Sequence, residues 1–308
     1  MNGLLATTDF DWYRHLSSLP DVDEVNFWQP SSYRAIHSIQ RGEPLLFKLK
    51  APHNAICGFG LFAGGSELEA SLAWDAFGEK NGVRSLEELI ARVAKYREEP
   101  LQPGEDPKIG CQMAGQPVFF DRRDWIPQPA DWSRNIVSGK TYDLAAGEGS
   151  RVWQACLARA GAIPIVAETV AGYGAPRLVE PRIGQGIFRV HVTEAWGRAC
   201  AITGEHSLPV LEAAHIIPFE KSQNHRVSNG LLLRADIHKL FDKGYVTVTP
   251  DLVFRVSPRL RMDWKNGKAY YPLDGTNLAK RLPRSPAERP DASGLAWHNA
   301  HIFKPAAS

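Results

Sequence analysis

CAITGEHSLPVLEAAHIIPFEKSQNHRVSNGLLLRADIHKLFD, residues 200 to 242, is the stretch on which the reading of this chain turns. Within it LEAAHIIP is a strand-like apolar run with one histidine, His215, near its end. A polar loop, EKSQNHRVSNG, follows and closes on Asn229-Gly230. LLLRADIHKLFDKG then reads as a short helix carrying His238 and Asp242 and stopped by Gly244. Positions 238 and 242 are four apart, so their side chains share one helical face. An imidazole and a carboxylate at that spacing can bridge a divalent metal. Taken singly, each residue has a plain structural reading. His215 suits a half-buried strand, Asn229-Gly230 a turn with positive backbone dihedrals, His238 a solvated helix face and Asp242 a surface carboxylate. In this order and at this spacing they point to one site.

The order His, Asn, His on strand, loop and helix resembles the HNH nuclease ββα-metal motif. The pattern CAITG…LEAAHI.P…NGL.L…H.LFD.G is similar to a branch found in bacterial restriction-type endonucleases, and the resemblance runs over roughly residues 185 to 258. It implies that His215 is the general base taking a proton from the water that attacks a phosphodiester. Histidine suits that task because its ordinary pKa lies near working pH. It implies that Asn229 holds the imidazole or its strand–loop geometry through its amide. It also implies that His238 is a ligand of a single divalent cation, which offsets charge on the scissile phosphate and on the leaving 3′ oxygen. Many HNH nucleases carry Asp or His just before the base as a further ligand, and here that position is Ala214. Asp242 compensates from the helix, or Glu212 does, since 212 and 214 share a strand face. Mg²⁺ or Mn²⁺ is favoured if carboxylate, water and phosphate oxygens fill most positions. Zn²⁺ or Ni²⁺ is compatible with a histidine ligand.

The 308 residues suit two domains. A 44% hydrophobic and 23% charged composition is that of an ordinary globular protein, and a net charge of +2 advertises no overall field for nucleic acid. Any DNA-binding face has to be a local patch. Cysteines stand alone at 57, 111, 156 and 200. No CxxC pair exists, which argues against a disulfide framework or a zinc knuckle and for reduced thiols. No signal peptide and no apolar run of membrane-spanning length is read, so a cytoplasmic location and no membrane partner are expected.

Residues 1–159 read as a first domain, 160–184 as an Ala-, Gly- and Pro-rich linker, and 185–308 as the nuclease domain. In the first, DFDWYRHL is a short helix, and PLLFKLK and AICGFGLFAG are strands of a curved, glycine-marked sheet. SLEELIARVAKY is a helix opened by Ser85 with Glu88 three residues on. IGCQMAGQPVFFD reads as two short strands, DWIPQPADWSRNIVSGKTYDL as loop, and EGSRVWQACLARA as a closing helix. The run FWQPS…GEPLLFKLK…AICGFG…PVFF…W resembles the PUA-like superfamily of EVE, ASCH and SRA-type barrels, over about 130 residues. The expected fold class is therefore α+β, a PUA-like β-barrel with helices followed by a ββα-metal domain.

PUA-like barrels bind RNA or a flipped, modified base, which needs a flat aromatic face and polar groups at its edge. Asn26, Phe27, Trp28, Gln29 and Tyr33 supply both in one turn-rich segment, and Trp74, Trp125 and Trp132 can complete a pocket. Barrel core and loop packing is the competing use of these aromatics. Arg182, Gln185 and Arg189, in the helical run before the motif, sit where phosphates could be touched, or on a solvated face. GYVTVTPDLVFRVSP is a β-hairpin, and a basic tail follows. The reading as a whole is an endonuclease on double-stranded DNA, restricted to modified cytosine by its first domain. The rivals are a general or sequence-specific HNH nuclease, a decayed binding protein for which Ala214 is the foothold, and an RNA-directed nuclease. Cutting both strands with one site per chain suggests a homodimer or two visits.

Overall fold

The computed structural model describes residues 1–30, 38–97, 99–161 and 183–306. They fall into two compact units, Met1–Ile187 and Phe188–Ser308, and the α+β class expected from sequence is observed.

The first unit runs β1 (Asn2–Thr8), α1 (Phe10–Leu16), β2 (Glu24–Gln29), β3 (Pro44–Leu49), β4 (Ala55–Glu69), α2 (Ala70–Phe77), α3 (Leu86–Tyr96), β5 (Lys108–Phe119), β6 (Ile126–Pro127), β7 (Gly139–Asp143) and α4 (Gly147–Ala160). Its sheet follows the order β2-β5-β4-β3-β1-β7, with β6 paired to β4. Only β1 and β3 among these pairs run parallel, Leu4 opposite Leu45 and Thr8 opposite Leu49. The register shifts between Phe47 and Lys48 on β3, and at Phe59/Leu61 and Phe62/Gly64 on β4. Bulges of this kind bend and twist a sheet.

All six residues of β3 are buried, so its apolar run does not alternate with solvent. One face, with Leu45, Phe47 and Leu49, packs with Trp12, Tyr13 and Leu16 of α1. The other, with Leu46, packs with Val152, Trp153 and Cys156 of α4. A strand covered on both sides reads as continuous rather than alternating. Each such Leu or Phe contributes roughly 1.5–3 kcal/mol by leaving water. The Ser85 hydroxyl accepts from Glu88 N at 3.2 Å, and Glu88 Oε2 reaches back to Arg84 N at 2.9 Å, so the expected cap opens α3.

One strand is added and three local expectations are corrected here. NGLLATT, unassigned from sequence, is β1. Asn26, Phe27, Trp28 and Gln29 of the expected turn-rich segment lie in strand β2, held to β5 from Glu24–Gly115 to Gln29–Gly110. KIGCQMAGQPVF is one strand of 12 residues rather than two, because Gln116 takes a left-handed φ of 51° without ending the pairing with β4. The stretch 124–144 contributes β6 and β7, the latter paired to β1 from Asn2–Asp143 to Ala6–Gly139. Most of the expected linker, 162–182, lies outside the described residues, as does Tyr33.

The second unit holds most of α5 (Gln185–Ala195), then β8 (Leu211–His215), α6 (Phe219–Ser222), β9 (Gly230–Arg234), α7 (Ala235–Asp242), β10 (Val246–Val248), β11 (Phe254–Val256), α8 (Arg259–Trp264) and α9 (Ala292–His301). The hairpin expected around Thr249-Pro250-Asp251 is β10–β11, Val246 opposite Val256. LLLR, read from sequence as the start of a helix, is strand: Leu231, Leu232 and Leu233 face Ala214, Ala213 and Glu212. A short apolar run carries no period that separates strand from buried helix. Among the described residues no helix is long and apolar enough to cross a membrane.

Candidate functional site

The site is built from β8, the loop after it, β9 and α7. β8 and β9 pair antiparallel from Leu211–Arg234 to His215–Gly230, which brings the end of β8 beside the start of β9. α7 follows β9 without a break. Ile237 and Phe241 of α7 are buried at 0% and 1% exposure, which fixes the helix's rotation. That rotation leaves His238 half-buried and Asp242 at the edge. Gly244, at φ 73°, ends the helix, and a Cβ there would meet the Ile302 carbonyl oxygen.

Gly230 corrects a second detail. It is extended, at φ −128°, so the Asn-Gly pair is not a positive-φ turn. A glycine is required because a Cβ would lie 2.4 Å from Val192 Cγ2 and 3.1 Å from Phe188 Cζ, both on α5. Trp196 Nε1 also donates to the Gly230 carbonyl at 3.2 Å. The strand end that carries the site is thus seated directly on α5.

Asn229 is 5% exposed and clamps the loop from inside. Its Oδ1 accepts from Ile217 N at 2.9 Å, and its Nδ2 donates to the carbonyls of Ile217 at 3.0 Å and Asn224 at 3.1 Å. Its own carbonyl accepts from Ile216 N at 2.8 Å. Both ends of the loop are therefore tied to one amide group.

The His215 ring stacks on Phe188, with centroids 4.0 Å apart and planes within 10°. Its Nε2 lies 3.1 Å from Nδ1 of His225. His225, a residue that sequence reading did not single out, stacks in turn on Phe219 at 4.1 Å. Its only signal was a third histidine inside the polar loop. The pKa of His215 is pushed down to about 4, first by burial and then by the neighbouring charge of His225, with Glu220 opposing and His238 adding a further lowering. The expectation of an ordinary pKa is thus corrected. The ring is neutral at neutral pH, with a lone pair available but a weak hold on a proton. A phosphate anion beside it would raise that hold.

His238 stands between two carboxylates. Nδ1 lies 2.7 Å from Glu212 Oε2, while Nε2 lies 3.4 Å from Asp242 Oδ2. The two carboxylates thus address opposite nitrogens of one ring. The Asp242 carboxyl is raised above its ordinary value, first by desolvation, with Glu212 and Glu220 adding to the rise and His238 and Lys243 opposing it. Among the described residues no cluster of three or more His, Cys, Asp or Glu side chains is arranged as a metal site. The donors that converge are Nε2 of His238 and the Asp242 carboxylate. One imidazole, one carboxylate and crowded negative charge suit a cation that keeps waters and takes phosphate oxygens for its remaining positions.

The residues expected to read a base are dispersed. Asn26 is 0% exposed, with Nδ2 donating to Asn81 Oδ1 at 2.9 Å and to Cys111 Sγ at 3.2 Å. Phe27 belongs to the core, T-shaped on Trp12 and stacked on Phe47. Trp28 is half-buried and donates to the Asn81 carbonyl at 2.9 Å. Gln29, Trp74 and Trp125 are half-buried, and Trp125 packs edge-on against Tyr13 and His53. Trp132 lies under Lys48 Nζ at 4.8 Å. Lys48 is 3% exposed, donates to Asn54 Oδ1 at 3.3 Å, and has its pKa lowered by burial. Of the expected phosphate contacts, Gln185 opens α5 and is exposed, Arg189 is half-buried, and Arg182 lies outside the described residues.

Residues 200–249 match the family model described as HNH endonuclease. No curated protein matches the chain. Among solved structures, ASCH from Zymomonas mobilis aligns at 10% identity and a TM-score of 0.34, covering 49% of this chain and 94% of that one. The modification-dependent TagI restriction endonuclease aligns at 12% identity and a TM-score of 0.30, covering 98% of this chain and 83% of that one. The HNH endonuclease match falls on β8, the clamped loop, β9 and α7, the elements that build the site.

Proposed function

We propose that the chain is a divalent-metal-dependent DNA endonuclease whose first unit confines cutting to DNA with a modified cytosine. What supports the nuclease reading is the family match over residues 200–249, falling where His215 ends β8 and His238 stands beside Asp242 on α7. His215 takes the proton of the attacking water. Asn229 holds the loop that frames it. Nε2 of His238 and the Asp242 carboxylate would hold the cation, with Glu212 orienting the His238 ring by accepting its Nδ1–H. A bound Mg²⁺ or Mn²⁺ would offset charge on the scissile phosphate and the leaving 3′ oxygen.

The restriction to modified DNA rests on physical logic together with the half-buried aromatics of the first unit. Extruding a base costs a few kcal/mol, and a weakly specific cutter gains selectivity if only a fitting base returns that energy. Burial of Asn26 and Phe27 narrows the expected stacking surface, among the described residues, to Trp28, Trp74, Trp125 and Trp132. Two copies, or two visits by one, serve both strands. The test is incubation with Mg²⁺ or Mn²⁺ and matched plasmids, unmodified, methylated and hydroxymethylated. Cutting of modified DNA alone is expected. Equal cutting of all three removes the selective role of the first unit and leaves a general nuclease. Binding without cutting in either metal removes the enzymatic reading.

A further inference from the structure

Stacking on Phe188 fixes the plane of the His215 ring but not its flip. A half-turn about the Cβ–Cγ bond keeps the ring in that plane and exchanges the positions of nitrogen and carbon. Something else must choose which nitrogen points where and which carries the proton. In this chain the chooser is a second histidine, with Nδ1 of His225 3.1 Å from Nε2 of His215. The His225 ring is itself held, stacked on Phe219 with planes within 15°. Its neighbour Asn224 is tied to Asn229 through the 3.1 Å bond between Asn229 Nδ2 and the Asn224 carbonyl. A continuous set of contacts thus leads from the buried amide of Asn229 through the loop to the base.

We propose that His225 is a positioning residue for the base: its Nδ1 accepts the Nε2–H of His215, leaving Nδ1 of His215 as the nitrogen that receives the proton from water. This rests on the reading of His215 as general base. The opposite tautomer would place the proton on Nδ1 of His215 and leave its lone pair on Nε2, turned to His225 rather than to the water. When water gives its proton to Nδ1, His215 becomes an imidazolium and the hydroxide oxygen bonds to phosphorus as the P–O3′ bond breaks. The Nε2–H bond to His225 is then charge-assisted, and such bonds are roughly twice as strong as neutral ones. With His225 neutral, that bond helps more after proton transfer than before it, whereas a protonated His225 would oppose the imidazolium, the lowering its charge exerts on His215. Also facing His215 are Phe188 of α5 and Phe219 of α6, which are uncharged, and the charges of Glu220 of α6 and His238 of α7 act on it. Glu220 and His238 act on the ring through their charge, whereas His225 meets one of its nitrogens directly, so the tautomer is His225's to set.

Two measurements on the full chain test this. Long-range ¹H–¹⁵N spectra of the histidine rings, at neutral pH without metal or DNA, read the tautomer directly. His215 should be protonated at Nε2 and bare at Nδ1, and a proton on Nδ1 overturns the proposal whether or not the protein cuts. Cleavage kinetics then compare His225→Ala with His225→Asn, whose Oδ1 can accept in place of Nδ1. His225→Ala should lower kcat roughly 10- to 100-fold with KM for DNA unchanged, and move the acid limb of the pH profile. His225→Asn should return kcat to within roughly threefold of wild type. Wild-type turnover in the alanine variant overturns the proposal, as does an asparagine variant that is folded and no better than alanine. If the alanine variant does not fold, the wild-type tautomer and the asparagine rates decide. If the wild type cuts no DNA with any metal, the nuclease reading fails while the ring spectra still answer for His225.

Discussion

Replacing Asn229 with alanine should separate this account from one in which the residue merely fills a turn. The side chain is 5% exposed and makes three well-formed bonds, to Ile217 N, Ile217 O and Asn224 O, between 2.9 and 3.1 Å. Each is worth about 1 kcal/mol net, and a buried group left unpaired costs about 1–3 kcal/mol. Water reaching the two carbonyls recovers part of this, so a loss of about 3 kcal/mol follows for the second unit. For a unit of this size that is a fall of roughly 10 °C in its melting transition. Asn229→Asp should fare no better, because it keeps the acceptor for Ile217 N but sets a carboxylate oxygen against two carbonyls. The assay is a circular-dichroism melt of both variants, followed by cleavage rates at a temperature where each is folded. Cleavage should fall further than the folded fraction does, since the loop that carries His225 is released. A melting shift of less than about 2 °C with unchanged cleavage would refute the clamp.

Two further outcomes are expected. His298 is 2% exposed, stacked on Phe241, with Thr247 Oγ1 at 2.8 Å and the Phe241 carbonyl at 3.2 Å on its two nitrogens. Burial pushes its pKa down to about 4. The unfolded chain takes up this proton below about pH 6.5 and the native protein only near pH 4, so stability is full above 6.5 and falls as pH drops through that window. The loss is about 3 kcal/mol, and His298→Phe should reduce the fall of the urea midpoint between pH 7 and 4, with His215 supplying part of what remains, whereas an unchanged slope would assign the acid lability elsewhere. Glu212→Ala should weaken Mn²⁺ binding roughly 10- to 100-fold by calorimetry, because it frees the His238 ring, and an unchanged affinity would remove Glu212 from the site.

How much was legible in the sequence follows from local chemistry. The spacing of His238 and Asp242 is a helical period, and that period survives whatever the helix packs on. The Ser85 cap and the β10–β11 hairpin were equally local. What sequence did not yield depends on partners distant in the chain. Leu231–Leu233 look helical until Ala214 to Glu212 are placed opposite them. Asn26 looks like an edge reader until Asn81 and Cys111 enclose it. Gly230 looks like a turn residue until α5 is laid against it. His225 carried no periodic signal at all, since a loop histidine acquires meaning only from the ring it meets. The depressed pKa of His215 was hidden for the same reason, because burial and a neighbouring charge both arise from the fold.

The central claim is that this domain hydrolyses DNA with His215 as the base. The most direct test compares wild type and His215→Ala on a susceptible plasmid with Mn²⁺, measuring binding and cleavage in the same samples. Cleavage should fall by roughly 100-fold or more while DNA affinity stays unchanged. Cleavage by the variant at the wild-type rate would contradict the assignment and, with it, the mechanism built on this strand end.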